Sequence, residues 1–82
     1  MIGIRCSGDA SEVAEALSAI PSVDYVVMTA GSFDILAEVV SENDDHLISL
    51  INEQIRSLDH VISTETFVYL KLHKQFYNWG TR

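Results

Sequence analysis

The sequence predicts an α+β fold: a ferredoxin-like βαββαβ sandwich, in which a four-stranded antiparallel sheet carries two helices on one face. The first observation behind this prediction is that the hydrophobic period switches between two and about 3.6 residues in the order strand, helix, strand, strand, helix, strand. The second is that the pattern occupies nearly all of an 82-residue chain, which is the length of one small domain.

Residues 2–6 alternate between apolar and other side chains, which is typical of a half-buried strand. Asp9 and Glu12 then have the spacing of a capping box, and the apolar positions that follow predict a helix ending at Pro21. The single cysteine, Cys6, lies in the strand pattern and is expected to act as a small buried hydrophobe.

Residues 29–34 form a polar break between two runs of β-forming residues. The break predicts a tight hairpin in which Gly31 adopts a positive φ. Asp34 is placed at the mouth of this hairpin, where a carboxylate needs water or a partner. It either accepts hydrogen bonds from turn amides or belongs to a binding site.

Ser41 and Asp44 have capping-box spacing and predict the start of a second helix. Its apolar stripe is expected to be buried, and Leu50, which lies off the stripe, indicates that the other flank of the helix also meets an apolar surface. The stripe comprises Leu47, Ile48, Ile51, Ile55 and Leu58. From Val61 to Leu72 the period returns to two, which predicts a last strand of that length.

The predicted strands are apolar on both sides, although the two helices cover only one face of the sheet. The simplest cover for the second face is another copy of the chain, so we expect a homodimer. A single folded domain is predicted to span residues 1–74. Residues 75–82 form an aromatic tail that packs on its own or a neighbouring subunit.

Charge is distributed unevenly. Residues 1–65 hold all twelve acids and two of the five bases, for a net charge of −10, whereas residues 66–82 carry +3. An acidic body repels phosphate, so this chain is not expected to bind DNA by itself.

No apolar run approaches the ~18 residues of a membrane span, and the first residues do not resemble a signal peptide. We therefore expect a cytoplasmic protein without a membrane partner.

Catalysis is not expected, and neither is a metal or cofactor site. His46, His60 and His73 have no spacing that would place two of them beside a carboxylate or a thiol. The four glycines are scattered and form no phosphate-binding loop. A small ferredoxin-like enzyme would need a buried histidine or acid in a cavity, and the sequence offers no good candidate.

The polar groups of the hairpin suit an amino acid. Gly31 and Ser32 offer backbone amides, Ser32 a hydroxyl and Asp34 a carboxylate. The second polar run, which starts at Ser63 and Thr64, could complete such a site. Arg56 precedes it and either interacts with the end of its helix, Glu53 or Asp59, or binds a ligand carboxylate.

Three segments together resemble the C-terminal effector domain, the RAM domain, of the Lrp/AsnC (feast/famine) transcriptional regulators. They are Gly31-Ser32-Phe33-Asp34-Ile35-Leu36, Leu47-Ile48-Ser49-Leu50-Ile51-Asn52 and Val61-Ile62-Ser63-Thr64-Glu65-Thr66. The ending Tyr69-Leu70-Lys71-Leu72 with Tyr77-Asn78-Trp79-Gly80-Thr81-Arg82 resembles actinobacterial members.

The resemblance implies a domain that pairs through its sheets into dimers and that often assembles further into an octamer of four dimers. It also implies an amino acid or related small-molecule effector bound between dimers. Carried over by position, the effector-binding residues would be Met28, Gly31, Ser32, Asp34, Arg56, Ser63 and Thr64. In the family, DNA is reached through a helix-turn-helix domain that is absent from this sequence, so we expect either an excised fragment or a stand-alone domain.

The sequence therefore predicts a small-molecule sensing and oligomerisation domain of a transcriptional regulator. The alternative is a stand-alone amino-acid-binding module that acts on an enzyme or a partner regulator. A preceding segment of about fifty residues with a basic recognition helix would favour the first.

Overall fold

The computed structural model describes residues 1–75 and has the predicted order of elements. The strands are β1 (Ile2–Cys6), β2 (Val23–Met28), β3 (Ile35–Val39) and β4 (Val61–Thr66). The helices are α1 (Ala10–Ser18) and α2 (Asp44–Ser49), and α2 continues into a π-helical segment, Leu50–Ile55. The predicted aromatic tail, residues 75–82, lies outside the described residues except for Gln75.

The four strands form one antiparallel sheet in the order β2-β3-β1-β4, which confirms the predicted βαββαβ fold class. The side chains of Ile2 and Ile4 point to the same face as those of Ile35 and Ala37, because these residues are paired across β1 and β3. They are fully buried beneath the helices, which contribute Val13, Leu17, Leu50 and Ile55 to the core. The core therefore lies between the sheet and the helices.

Both helices begin at a side-chain cap. Asp9 accepts a hydrogen bond from the amide of Ser11 at 3.0 Å, and Asn43 accepts one from the amide of His46 at 2.8 Å. These bonds satisfy amides that have no partner inside the helix. The second helix thus starts after Asn43 and not after Ser41, the predicted cap.

The predicted stripe of the second helix is wrong at one position. Ile48 is 56% exposed, whereas Leu50, placed off the stripe, is fully buried. The amide of Arg56 donates to the carbonyl of Ile51 at 2.8 Å, five residues back, as in a π-helix. The wider turns shift the face that meets the sheet, and a constant period of 3.6 residues does not anticipate this shift.

The last strand is shorter than predicted, ending at Thr66 and not at Leu72. Among the described strands its neighbour is β1, in which Ile2 is paired with Thr66. One further pair of bonds joins Phe67 to Met1, beyond which no described strand lies beside this segment. The length of β4 is therefore set by its partner and not by its own alternation.

The connection between β2 and β3, residues 29–34, is a six-residue loop and not a tight turn. The amide of Thr29 donates to the carbonyl of Asp34 at 2.9 Å, and the amide of Asp34 donates to the carbonyl of Ile4 at the same distance. The expected positive φ at Gly31 is wrong. Among the described residues, only Gly8 and His60 have positive φ. A loop of this length reverses the chain without a left-handed residue at that position.

The face of the sheet opposite the helices is called the bare face here. Strand pairing assigns it Gly3, Arg5, Tyr25, Val27, Leu36, Glu38, Ser63 and Glu65. The ring of Phe33 lies on it directly over Gly3. The side chains of Val27 and Leu36 are only half-buried within one subunit, so this face keeps an apolar surface.

Candidate functional site

The residues predicted to bind an effector come from four segments at the same end of the sheet. Met28 closes β2, Gly31, Ser32 and Asp34 lie in the loop that follows, Arg56 follows the π-helical segment, and Ser63 and Thr64 are near the start of β4. The antiparallel topology explains this grouping, since β2 and the second helix end where β3 and β4 begin.

Asp34 connects the loop to β1. Its carboxylate accepts a hydrogen bond from the amide of Cys6 at 2.7 Å. Cys6 lies where the pairing of β1 with β4 shifts register, and there the carboxylate satisfies an amide of an irregular strand. Burial raises the pKa of the Cys6 thiol, and the charge of Asp34 raises this pKa further. Asp34 thus anchors the loop through a strand amide, and not through the amides of its own turn.

Arg5 lies between the two polar runs that the sequence placed in the site. Its Nε donates to the carbonyl oxygen of Ser32 at 3.0 Å, and its guanidinium carbon lies 5.3 Å from the ring centre of Phe33. In the sheet Arg5 is paired with Ser63, so the two side chains share the bare face. Sequence reasoning missed Arg5, although it is one of only two bases in the first 65 residues. It was missed because the partners of Arg5 lie about thirty to sixty positions away in the chain.

Arg56 makes a contact within its own helix. Its Nη1 donates to Oδ1 of Asn52 at 3.3 Å, and both side chains are exposed. This is an intrahelical contact of the kind expected from helix geometry, but with a neutral partner instead of Glu53 or Asp59. Arg56 lies at the same end of the sheet as the loop 29–34 but has no described contact to the loop or to β4.

Ser63 and Thr64 point to opposite faces. Ser63 is exposed on the bare face, whereas Thr64 is paired with the core residue Ile4 and is half-buried on the helix side. Met28 is paired with Ile35, so it also belongs to the helix side, at the opposite edge of the sheet. A single subunit therefore brings Ser32 and Ser63 together around Arg5 and keeps Met28 and Thr64 apart.

The depressions described in the surface lie away from this group. One is at the opposite end of the sheet and is lined by Met1, Asp24, Glu38, Val39, Val40, Phe67 and Tyr69. A second lies between α1 and the turn 58–60, and a third is lined by Tyr69, Lys71 and Leu72. Within residues 1–75, no group of three or more His, Cys, Asp or Glu side chains is placed to hold a metal ion. None of the helices in that range is both long enough and apolar enough to cross a membrane.

Comparison with known proteins identifies related domains. Residues 7–82 match the family model described as the C-terminal dimeric alpha+beta barrel domain of AsnC-type transcriptional regulators. Among solved structures, the crystal structure of hypothetical protein PHS023 from Pyrococcus horikoshii is similar, with a TM-score of 0.78 and 27% sequence identity over 88% of each chain. No curated protein matches the sequence.

Proposed function

Because the chain belongs to the AsnC transcriptional regulator family, as its C-terminal dimeric alpha+beta barrel domain, we propose that it senses a small molecule on behalf of such a regulator. The family is one of dimeric regulatory domains, so this domain is a homodimer with a regulatory role. The proposed effector is an amino acid or a closely related compound, and no catalytic step is assigned to the chain.

The observation that carries the proposal is the position of Arg5 between Ser32 and Ser63. A guanidinium has five N–H donors in a planar fork, and the bond to Ser32 uses the one on Nε. Such a fork is suited to a carboxylate, and the nearby serine hydroxyls are suited to an ammonium group. Stacking on Phe33 holds the guanidinium in place.

The other residues predicted to bind an effector either hold the loop 29–34 in place or lie outside the group around Arg5. Asp34 fixes the loop through Cys6, so that Gly31 and Ser32 stay exposed at the end of the sheet. Met28, Arg56 and Thr64 contribute only where a second dimer meets this end, because they lie outside the group around Arg5. A site completed between dimers requires the larger assembly, which we propose to be an octamer of four dimers.

The proposed mechanism is a difference in affinity between assemblies. The group around Arg5 lies at the end of the bare face, beside the loop 29–34, so we place the effector where a second dimer meets this end of the sheet. Such an effector stabilises the assembly that presents the complete site, in proportion to its preference for that assembly. In a full regulator, the change would alter the spacing of DNA-binding domains joined to these subunits.

The test is a thermal-unfolding screen of the dimer against the twenty amino acids. A ligand present at 100 times its Kd stabilises the folded state by about 2.7 kcal/mol, which is readily measured as a rise in Tm. We expect at least one amino acid to raise the Tm, and Arg5→Gln to weaken that response at least about tenfold in concentration. No response to any amino acid would contradict the proposal.

Arg56→Gln is the matched comparison, since it removes the other arginine at this end of the sheet. We expect it to change the response less than Arg5→Gln does. If only Arg56→Gln weakened the response, the ligand carboxylate would be bound at the end of the second helix and not on the bare face.

A further inference from the structure

Phe33 connects the candidate site to the end of β4. Its ring lies on β1 over Gly3, and the guanidinium carbon of Arg5 lies 5.3 Å from the ring centre. The ring of Phe67 meets that of Phe33 edge to face, with centroids 5.8 Å apart and an angle of 85° between the ring planes. One side chain of the loop 29–34 therefore contacts both the arginine of the proposed site and the first residue after β4.

The contact with Phe67 limits where the Phe33 ring can lie. Phe33 belongs to a six-residue loop, and its side chain is only half-buried in the subunit. The backbone of Gly3 stops the ring from approaching β1 more closely, but a glycine has no side chain that would stop the ring from sliding along the strand. The edge-to-face pair with Phe67 opposes this sliding, because aromatic pairs prefer a defined geometry.

Phe67 is itself held in place by its backbone. Its amide donates to the carbonyl of Met1 at 2.8 Å, and its carbonyl accepts a hydrogen bond from the amino group of Met1 at 3.3 Å. These two bonds extend the pairing of β4 with β1 by one residue. Phe67 is therefore fixed beside the strand that carries Gly3 and Arg5, and it supports the ring of Phe33 from a defined position.

The orientation of the Arg5 guanidinium depends on that ring. The bond from Nε to the carbonyl oxygen of Ser32, 3.0 Å long, fixes one point of the planar fork. The ring of Phe33 then fixes the plane in which the remaining donors lie. With the bond to Ser32 alone, the fork would be free to rotate about it, and a carboxylate ligand would have to order the fork on binding.

We propose that Phe67 is a positioning residue of the effector site. By fixing the ring of Phe33, it keeps the guanidinium of Arg5 oriented for a ligand carboxylate, and it does so without touching the ligand. This inference rests on the proposed function of Arg5 as the residue that binds the carboxylate. A donor that is already oriented binds more tightly than a mobile one, because less conformational entropy is lost when the ligand binds.

The first test measures the orientation of Arg5 without any ligand. In NMR spectra of the ¹⁵N-labelled dimer, we expect the ring current of Phe33 to displace the Nε–Hε signal of Arg5 from that of Arg56, which is exposed. Phe67→Leu should move the Arg5 signal towards that of Arg56. Phe67→Tyr keeps an aromatic ring and should leave the Arg5 signal in place. An Arg5 signal that is the same in Phe67→Leu and in the unsubstituted chain would overturn the proposal.

Tyr69→Phe is the matched control in the same segment. It removes only the hydroxyl that donates to Glu38, and the Arg5 signal should not move. Phe67 is 39% exposed, so its variants should keep the fold. The unsubstituted chain gives an independent check, since nuclear Overhauser effects should join the ring of Phe67 to that of Phe33, and the ring of Phe33 to the side chain of Arg5. The absence of either contact would also overturn the proposal.

The second test measures binding of the amino acid that gives the largest rise in Tm. We expect Phe67→Leu to raise its Kd at least about threefold, as the loss of an aromatic pair implies, and Phe67→Tyr to restore it. In the Arg5→Gln background, Phe67→Leu should cause no further loss, because a residue that acts through Arg5 then has nothing to position. Equal losses in both backgrounds would overturn the proposal. If no amino acid binds, the proposed function alone is contradicted, since the Arg5 signal reports the positioning without a ligand.

Discussion

Gly3 determines how the bare face is built. A Cβ at this position would lie 2.8 Å from Cγ of Phe33, closer than atoms in van der Waals contact can approach. The absent side chain allows the Phe33 ring to lie on β1, where it contacts both Arg5 and Phe67. One glycine thus supports the contact of Phe33 with Arg5 in the candidate site and the contact of Phe33 with Phe67 after β4.

We expect Gly3→Ala to lower the free energy of unfolding by about 1–3 kcal/mol, because the Phe33 ring must move to make room. Chemical denaturation of the dimer at fixed protein concentration measures this change. Gly31→Ala is the matched control, since a Cβ there would meet no described atom within 4 Å and the φ of Gly31 is not left-handed. It should change the stability by no more than about 0.5 kcal/mol. Equal effects of the two substitutions would show that Phe33 does not pack on Gly3.

Single residues also show which contacts the sequence does not predict, namely those between residues far apart in the chain. The position of Asp34 at the start of β3 follows from local patterning, but its hydrogen bond to the amide of Cys6 spans 28 residues. The contact of Arg5 with Ser32 spans 27. Local periodicity carries no information on such pairs, so the sequence did not predict that Arg5, and not Arg56, contacts the loop.

At the scale of the element, the second helix shows the difference between predicting a helix and predicting its buried face. The apolar repeat was sufficient to predict a helix in this region, because it continues over several turns. The π-helical turns of Leu50–Ile55 then change the angle between successive residues. As a result Leu50 is buried and Ile48 is exposed.

Leu50→Ala should therefore destabilise the domain by about 2–5 kcal/mol, the usual range for removing a fully buried leucine side chain. Ile48→Ala, two positions earlier, should cost no more than about 0.5 kcal/mol. Urea unfolding of both variants gives the comparison. The opposite ranking would mean that the helix keeps a regular α-helical period and buries the stripe predicted from sequence.

Strand lengths follow a similar rule. The starts of β1, β3 and β4 and the antiparallel sheet were predicted from alternation and turn residues, and the structure confirms them. The end of β4 was not predicted, because alternation indicates that a segment can form a strand but not that a neighbouring strand lies beside it. The overestimate covers Phe67–Leu72, which belongs to no described strand.

At the scale of the whole molecule, charge and apolar surface lead to the same arrangement. A small domain with a net charge of −7 keeps its basic residues mainly in the C-terminal region, and one face of its sheet is covered only in part. The chain belongs to a family of dimeric domains, and we expect a second copy to cover that face. Sequence could predict the dimer because the apolar excess is visible in the pattern, whereas the location of a ligand depends on surfaces that meet only in the assembly.

The most direct measurement is an amide-resolved NMR titration of the dimer with the amino acid that gives the largest thermal stabilisation. The account predicts that chemical-shift changes concentrate at Arg5, in the loop 29–34 and at Ser63, with a saturation curve that Arg5→Gln shifts to higher concentration. Changes centred instead on the depression around Asp24 and Val40 at the far end of the sheet, or the absence of any saturable change, would contradict it.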